Sequence, residues 1–427
     1  METVRIFHLK NLSRKTYSLA REGQVESGRV WTFCRDTHKK ARDSGEKWPK
    51  RDALQKLTKG KFSLHSQSVQ MVCHAFLANV DTACKLKKIN PRARLPYKDK
   101  YFYPLLWPKQ AVKWEHGALT LPMGRGRESL RLKVDLESID FGACKLIWDG
   151  NYQLHVTIDT PTPKQEPAPP LCATVDLGQI HLAAVTTETG KSLVVSGRGI
   201  RTLKRQRTKA VGKIAKKQIR CAKGSRRWKK LQRAKKKTNS RAKKRVRDLR
   251  HKATTQVIDF CRQEKVTHLY VGNPEGVQRK NSGRYHNQRM SQWEFGKDIS
   301  YLEHKSEKMG IVCSNGSERG TSSHCPQCDL RKKIKGRLWE CPQCGLKLHR
   351  DVVGSVNMFP LGFGIKVEIP NHITYLRPGE LRLFRCSSSL GTGQSSFAKP
   401  SKSSRQESCV VQATGPFRGS LQEAHPL

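Results

Sequence analysis

The sequence predicts an α/β protein: a core of short apolar strands with long basic helices and an inserted zinc ribbon, preceded by a helical lobe and a small antiparallel β-barrel. Three observations carry this reading. Cys325-Pro326-Gln327-Cys328 and Cys341-Pro342-Gln343-Cys344 form two CxxC pairs separated by twelve residues. Residues 201–252 hold 25 Lys or Arg among 52, with Asp248 the one acid. Around both run short apolar segments, Ala173-Thr174-Val175, Leu182 to Thr186, Val266 to Val271 and Ile311 to Cys313, bounded by turn residues as strands are.

Residues 1 to about 90 are expected to be largely helical. Val69, Val72, Cys73, Phe76 and Val80 recur three and four apart on one face. From 100 to 160 the pattern changes to strict alternation, as in Leu130-Arg131-Leu132-Lys133-Val134 and Tyr152 to Ile158, with turns at Gly117, Gly124, Gly126 and Asp149-Gly150. Half-buried antiparallel strands alternate in this way. Tyr101, Phe102, Tyr103 and Trp107 precede them, and core packing is the commoner fate of such a cluster. Five prolines between 161 and 170 mark a linker at 161–171. The second unit then runs from 172 to 322, with Val211, Ile214, Ile219, Trp228 and Leu231 punctuating one or two basic helices. Trp293 to Met309 has helical spacing, ended by Gly310. The ribbon is placed at 323–348 and a last core segment at 349–370, leaving 371–427 as a low-complexity, disordered tail.

A net charge of +48, from 83 basic and 35 acidic residues, calls for a polyanionic partner, nucleic acid before a membrane surface. No apolar run approaches the ~18–20 residues that span a bilayer. The N-terminal ten residues lack a signal-peptide core. Fourteen cysteines then belong to a reducing cytoplasm, as metal ligands or buried thiols. Cys325, Cys328, Cys341 and Cys344 supply four thiolates to one tetrahedral Zn²⁺. A closed four-cysteine site has no open position, so the zinc is structural, and His324 beside it is a neighbour only.

Two aspartates stand at places where carboxylates can hold divalent cations. Asp176 ends an apolar strand, and Asp351 opens a helix after His349-Arg350. A pair of Mg²⁺ ions roughly 3.5–4 Å apart activates water on one side and stabilises the leaving oxygen on the other. Such a site needs at least three carboxylates. Taken alone, an Asp at such a place is more often a cap or turn residue.

The order Asp176-Leu177-Gly178, basic helices, apolar strand, Thr321-Ser322, two CxxC pairs, His349-Arg350-Asp351 resembles the transposon-encoded TnpB nucleases, relatives of type V CRISPR effectors. The resemblance covers about residues 170–360. It implies an RNase H-like, RuvC-type core interrupted by a zinc ribbon, with the N-terminal lobe and barrel handling guide RNA and a DNA flanking motif. Asp176 matches the first catalytic aspartate and Asp351 the last. The middle glutamate of the family falls at Gly272, which cannot ligate metal. Glu318, just before Thr321-Ser322, is the favoured substitute and Glu275 the alternative. The expected activity is Mg²⁺-dependent, RNA-guided cleavage of double-stranded DNA by a prokaryotic, nucleoid-associated protein. Arg226, Arg227, Lys229, Lys230 and Arg350 are the expected nucleic-acid contacts. Gly272 keeps a nuclease-dead, RNA-guided DNA-binding repressor in view, and charge plus ribbon would equally suit an unguided nucleic-acid-binding zinc protein.

Overall fold

The computed structural model describes residues 2–136, 141–159, 170–274, 276–277, 281–332 and 336–379. The linker prolines through Pro169 and the alternative carboxylate Glu275 lie outside them.

The N-terminal part contains β1 (Glu2–His8), α1 (Arg14–Asp43), α2 (Arg51–Thr58), α3 (Ser66–Ile89), β2 (Leu105–Trp107), β3 (Lys113–Glu115), β4 (Ala118–Leu121), β5 (Leu130–Lys133), β6 (Phe141–Trp148) and β7 (Tyr152–Asp159). Val69, Val72, Cys73, Phe76 and Val80 are all buried and share one core with Trp31, Trp107 and the inward residues of β4 to β7. Among the described residues the strands pair as two antiparallel sheets, β1-β7-β6-β2 and β3-β4-β5. The expected barrel is therefore open in its ladders. Strand β1 comes from a segment expected to be helical. It pairs with β7 along its whole length, from Glu2 against Asp159 to His8 against Gln153. None of its residues is buried, so its strand character comes from backbone pairing at a sheet edge rather than from an apolar pattern. Trp107 is buried and Tyr103 stacks on Trp31 at 4.5 Å, whereas Tyr101 and Phe102 are exposed.

The second part begins with a meander of β8 (Cys172–Leu177), β9 (His181–Thr187) and β10 (Lys191–Ser196). A helical hairpin follows, α4 (Arg198–Ile219) and α5 (Arg226–Gln263), then β11 (His268–Asn273), α6 (Arg284–Ser291), α7 (Phe295–Lys308) and β12 (Val312–Ser317). The ribbon hairpin is β13 (Leu338–Glu340) and β14 (Lys347–His349), leading directly into α8 (Arg350–Val356), α9 (Phe359–Phe363) and β15 (His372–Leu376). One six-stranded sheet runs β12-β11-β8-β9-β10-β15. Strands β11 and β12 are parallel to β8, so three strands bring their C-terminal ends to the same edge. Open α/β sheets present ligands at that edge.

Strand β15 pairs in parallel with β10, from His372 against Lys191 to Leu376 against Val195. The ordered sheet thus extends into the segment expected to be a tail. Thr374 and Leu376 are buried where they meet it, within the short segment His372-Ile373-Thr374-Tyr375-Leu376. The two faces of the sheet carry different partners. Val257, Ile258 and Cys261 of α5 and Leu302 of α7 cover one, packing on Ala173, Val175, Val185 and Val271. Helix α8 and the ribbon cover the other, where Val352, Val353 and Trp339 meet Ala184 and Val194. Helix α5 is divided accordingly: its buried positions begin at Val246, and the preceding turns form the exposed basic arm with α4.

Candidate active site

The C-terminal ends of β8, β11 and β12 assemble the acidic residues. Asp176 is the penultimate residue of β8, Gly272 the penultimate residue of β11, and Glu318 the first residue beyond β12. Strand register sets Val271 against Val175 and Gly272 against Gly316, so Gly272 lies between Asp176 and the strand that delivers Glu318. The Glu318 side chain turns back over the glycine. A Cβ added at Gly272 would stand 2.7 Å from Glu318 Oε2 and 2.8 Å from Met358 Sδ, closer than real side-chain contacts. Gly272 is thus the space into which Glu318 reaches.

Backbone anchors hold Glu318 there. The Thr321 hydroxyl donates to the Glu318 carbonyl at 2.9 Å. The Asn357 amide in turn donates to the carbonyls of Thr321 at 2.7 Å and His324 at 2.8 Å, tying α8 to the start of the ribbon. Helix α8 approaches β8 closely because its middle residues are small. Thr174 donates its hydroxyl to the Ser355 carbonyl at 2.6 Å. A Cβ at Gly354 would stand 2.6 Å from Asp176 Oδ2. Gly354→Ala is therefore expected to displace the Asp176 carboxylate and weaken Mg²⁺ or Mn²⁺ binding about 10–100-fold, the cost of losing a group that orients a ligand, in a calorimetric titration.

Asp351 occupies the first turn of α8, whose N-cap is His349; the neutral ring accepts from the Asp351 amide at 3.2 Å through Nδ1. Burial pushes His349 down to about 4, which keeps that acceptor available. His181 Nδ1 lies 2.8 Å from Asp351 Oδ2, and Arg337 Nη1 donates to both oxygens at 2.9 and 3.0 Å. Burial alone would raise Asp351. The His181 hydrogen bond, with Arg337 and His349, outweighs it and holds the carboxyl below its ordinary value.

Asp176 and Glu318 behave oppositely. Burial, then the charges of Glu318 and Asp351, push Asp176 well above the usual range, with Arg350 and Arg337 acting the other way. Burial pushes Glu318 up to about 7 despite a hydrogen bond shared with Asp176. Glu318 Oε2 is buried with no hydrogen-bond partner among the described residues. Crowded carboxylates with an orphaned oxygen fit a divalent cation, whose charge would relieve both the repulsion and the desolvation. His181 and Arg337 were not singled out from the sequence. A histidine opening an apolar strand, and an arginine just before a ribbon strand, carry no periodic signal.

The ribbon places its four sulfurs as a compact cluster. Cys325 and Cys344 Sγ are 3.5 Å apart, as are Cys328 and Cys341 Sγ, and all four lie within 4.8 Å of one another. Tetrahedral Zn²⁺ with bonds of about 2.3 Å requires edges near 3.8 Å. The two knuckles repeat one geometry: the Cys325 amide donates to Leu330 and the Cys341 amide to Leu346, while Asp329 and Gly345 donate back to Cys325 and Cys341. Asp329 and Gly345 both take the left-handed conformation, at φ 59° and 71°. The donor set fits zinc.

Of the expected nucleic-acid contacts, Arg226, Arg227, Lys229 and Lys230 are exposed in the first turn of α5, and Trp228 is half-buried. Cations at a helix N-terminus oppose its dipole, so this cluster favours an anionic partner. Arg350 points toward the Ser322 hydroxyl, 3.4 Å away.

Fold and site together define a protein with a four-cysteine ribbon and a mixed sheet that brings carboxylates to one strand-end edge. A family profile described as "Probable transposase" matches residues 153–278, and one described as "Cas12f1-like, TNB domain" matches residues 295–358, which contain the ribbon, Glu318 and Asp351. A TnpB-like protein of Methanocaldococcus jannaschii is 29% identical over 126 residues, covering 29% of this chain and 45% of that protein. A TnpB-like protein of Acidianus two-tailed virus is 24% identical over 136 residues, 31% of this chain and 29% of the relative. The chain thus matches less than half the length of these curated relatives. Among solved structures, a chain of the cryo-EM Cas12f1–sgRNA–target DNA complex aligns with a TM-score of 0.58 at 13% identity, over 81% of this chain and 83% of that one, a likeness of fold. Within residues 153–358 the chain is thus similar to TnpB-like proteins and to the Cas12f1-like TNB domain. Among the described residues no helix is long and apolar enough to cross a membrane.

Proposed function

We propose that the protein is an RNA-guided DNA endonuclease of transposon origin, with Asp176, Glu318 and Asp351 as the catalytic carboxylates. The observation that carries this reading is the Glu318 carboxylate seated over Gly272 at the strand edge shared with Asp176. The antiparallel meander flanked by two parallel strands supports an RNase H-like, RuvC-type core. Two Mg²⁺ ions bound by these carboxylates would supply an activated water and charge stabilisation at the leaving oxygen. The chain's own work is positioning: Thr321 and Asn357 hold Glu318, while His181 and Arg337 keep Asp351 ionised.

The exposed arm of α4 and α5 would neutralise a guide–target heteroduplex, with base pairing selecting sequence and the N-terminal part reading a short flanking motif. Binding should then weaken steeply with salt. Gly272 favours a second reading, a nuclease-dead RNA-guided binder, which shares every feature except turnover. The test is to express the protein from its native locus and sequence the RNA that copurifies. One dominant species, retained by Asp176→Ala and Asp351→Ala while cleavage is lost, is the expected result. A smear of cellular RNA contradicts guided binding, and one species without cleavage by the wild type selects the second reading.

A further inference from the structure

Strand pairing alone does not secure the place of Glu318. Strand β12 is the edge of the six-stranded sheet, and Glu318 is the first residue beyond it. A residue on β11, by contrast, has a neighbouring strand on each side, β8 and β12. A carboxylate leaving the end of an edge strand needs a further hold before it can stay beside Asp176.

Tyr270 supplies one. It lies on β11 two residues before Gly272, so both project from the same face of the sheet. Register places it beside Thr174 of β8, whose hydroxyl bonds the Ser355 carbonyl, and beside Ser314 of β12, so this is the face that α8 covers. The Tyr270 hydroxyl donates to the Ser317 carbonyl at 3.3 Å. Ser317 is the last residue of β12, and its carbonyl belongs to the peptide unit that leads into Glu318. Thr321 holds the next carbonyl, that of Glu318 itself. The two hydrogen bonds bracket the glutamate along the backbone.

Two glycines make room for the phenol. A Cβ at Gly316 would collide with Tyr270 Oη and stand 3.0 Å from its Cζ, and one at Gly362 of α9 would stand 2.6 Å from its Cγ. Neither glycine takes a left-handed φ, so what each supplies is clearance. Phe363 of α9 meets the ring edge-on, with centroids 6.3 Å apart. Burial, then the charge of Glu318, raises the phenol above its ordinary value, which keeps it a donor.

We propose that Tyr270 is a positioning residue for the carboxylate cluster: through the Ser317 carbonyl its hydroxyl fixes the direction in which Glu318 leaves β12, so that the carboxylate seats over Gly272 beside Asp176. The consequence for cleavage rests on the nuclease reading; the hold on Glu318, and through it on a divalent cation, does not.

The test uses the full chain with its copurified RNA and its zinc. Tyr270→Phe keeps the ring and removes the hydroxyl. Calorimetric titration, with Asp176→Ala protein run alongside to subtract Mn²⁺ held by the RNA, should show affinity lowered about 3–10-fold, the scale of one neutral hydrogen bond. The Mg²⁺ concentration for half-maximal cleavage should rise by the same factor, while the rate at saturating Mg²⁺ stays within about twofold, because a misplaced ligand costs binding more than turnover. Loss of folded protein would lower the rate and leave that concentration where it was. Gly316→Ala, which pushes the hydroxyl aside while keeping Tyr270, should match the loss and add little to Tyr270→Phe. In a Glu318→Gln background Tyr270→Phe should no longer change Mn²⁺ affinity, since the carboxylate it places is gone. Unchanged affinity in Tyr270→Phe would overturn the proposal. So would an equal loss with Glu318→Gln, which would assign Tyr270 to the fold alone. A Glu318-dependent loss in a protein whose wild type never cleaves would leave the hold standing and sink the nuclease reading. Guided cleavage with metal requirements unchanged by Tyr270→Phe would do the reverse.

Discussion

Glu318→Gln is expected to reduce cleavage by at least about 10²-fold, the scale of removing one electrostatic group from an active site, while stabilising the Mg²⁺-free protein at neutral pH. The second effect follows from the direction of the shift. The folded value of Glu318 is raised from 4.5 to about 7, so between those values the folded chain keeps a proton that the unfolded chain has lost. Stability therefore falls as pH rises through this window, by on the order of 1–3 kcal/mol for such a half-buried group. Asp176, raised by the same burial and by Glu318 itself, adds in the same direction. Thermal melts of Mg²⁺-free, zinc-loaded wild type should show a lower midpoint at pH 7.5 than at pH 5.5. Glu318→Gln should flatten the difference, and Mg²⁺ should restore the wild type. The position of the carboxylate can also be tested. Gly272→Glu alone should be damaging, because its Cβ meets Glu318 and Met358, whereas Gly272→Glu with Glu318→Gly should recover part of the activity. Wild-type cleavage by Glu318→Gln would remove Glu318 from the site.

The second large effect belongs to the ribbon. Stripping zinc, or replacing Cys341 by Ser, is expected to abolish cleavage and lower the melting midpoint even with saturating Mg²⁺. Structural zinc contributes about 10–16 kcal/mol in small zinc-finger peptides, as much as the whole stability of an ordinary domain. Here that energy would order β13 and β14, and α8 begins at the residue after β14. Trp339 is fully buried against Val352 and Val353, one and two positions beyond Asp351. Arg337, which holds both oxygens of Asp351, sits at the start of the same hairpin. Losing the ion should therefore misplace Asp351 while leaving RNA bound to the exposed α4–α5 arm. Metal analysis, melting and cleavage on one preparation check this; full activity at zero zinc would show that the ribbon does not brace the site.

The site was legible to the extent that its chemistry is carried by residue type and local spacing. Four cysteines at CxxC spacing read as one cluster, which the structure brings together, and Asp176 stands out as an acid ending an apolar strand. The place of Glu318 was harder to read, because its relation to Gly272 depends on two strands pairing in parallel, His268 against Val312 through Asn273 against Ser317, far apart in sequence. His181 and Arg337 meet Asp351 through tertiary folding alone. The fold shows the same division. The α3 face and the alternating strands β4, β5 and β7 follow local periodicity, whereas β1 and β15 lie at sheet edges, where pairing matters more than apolar pattern.

The most direct test is cleavage by the protein purified with its own RNA, using a plasmid library in which a guide-matched sequence is flanked by randomised bases, with Mg²⁺ present. The account predicts linear product from plasmids sharing one flanking motif, absent in Asp176→Ala, Glu318→Gln and Asp351→Ala proteins that still carry the RNA. Product that persists in all three variants, or no product from the wild type with its RNA bound, would contradict it.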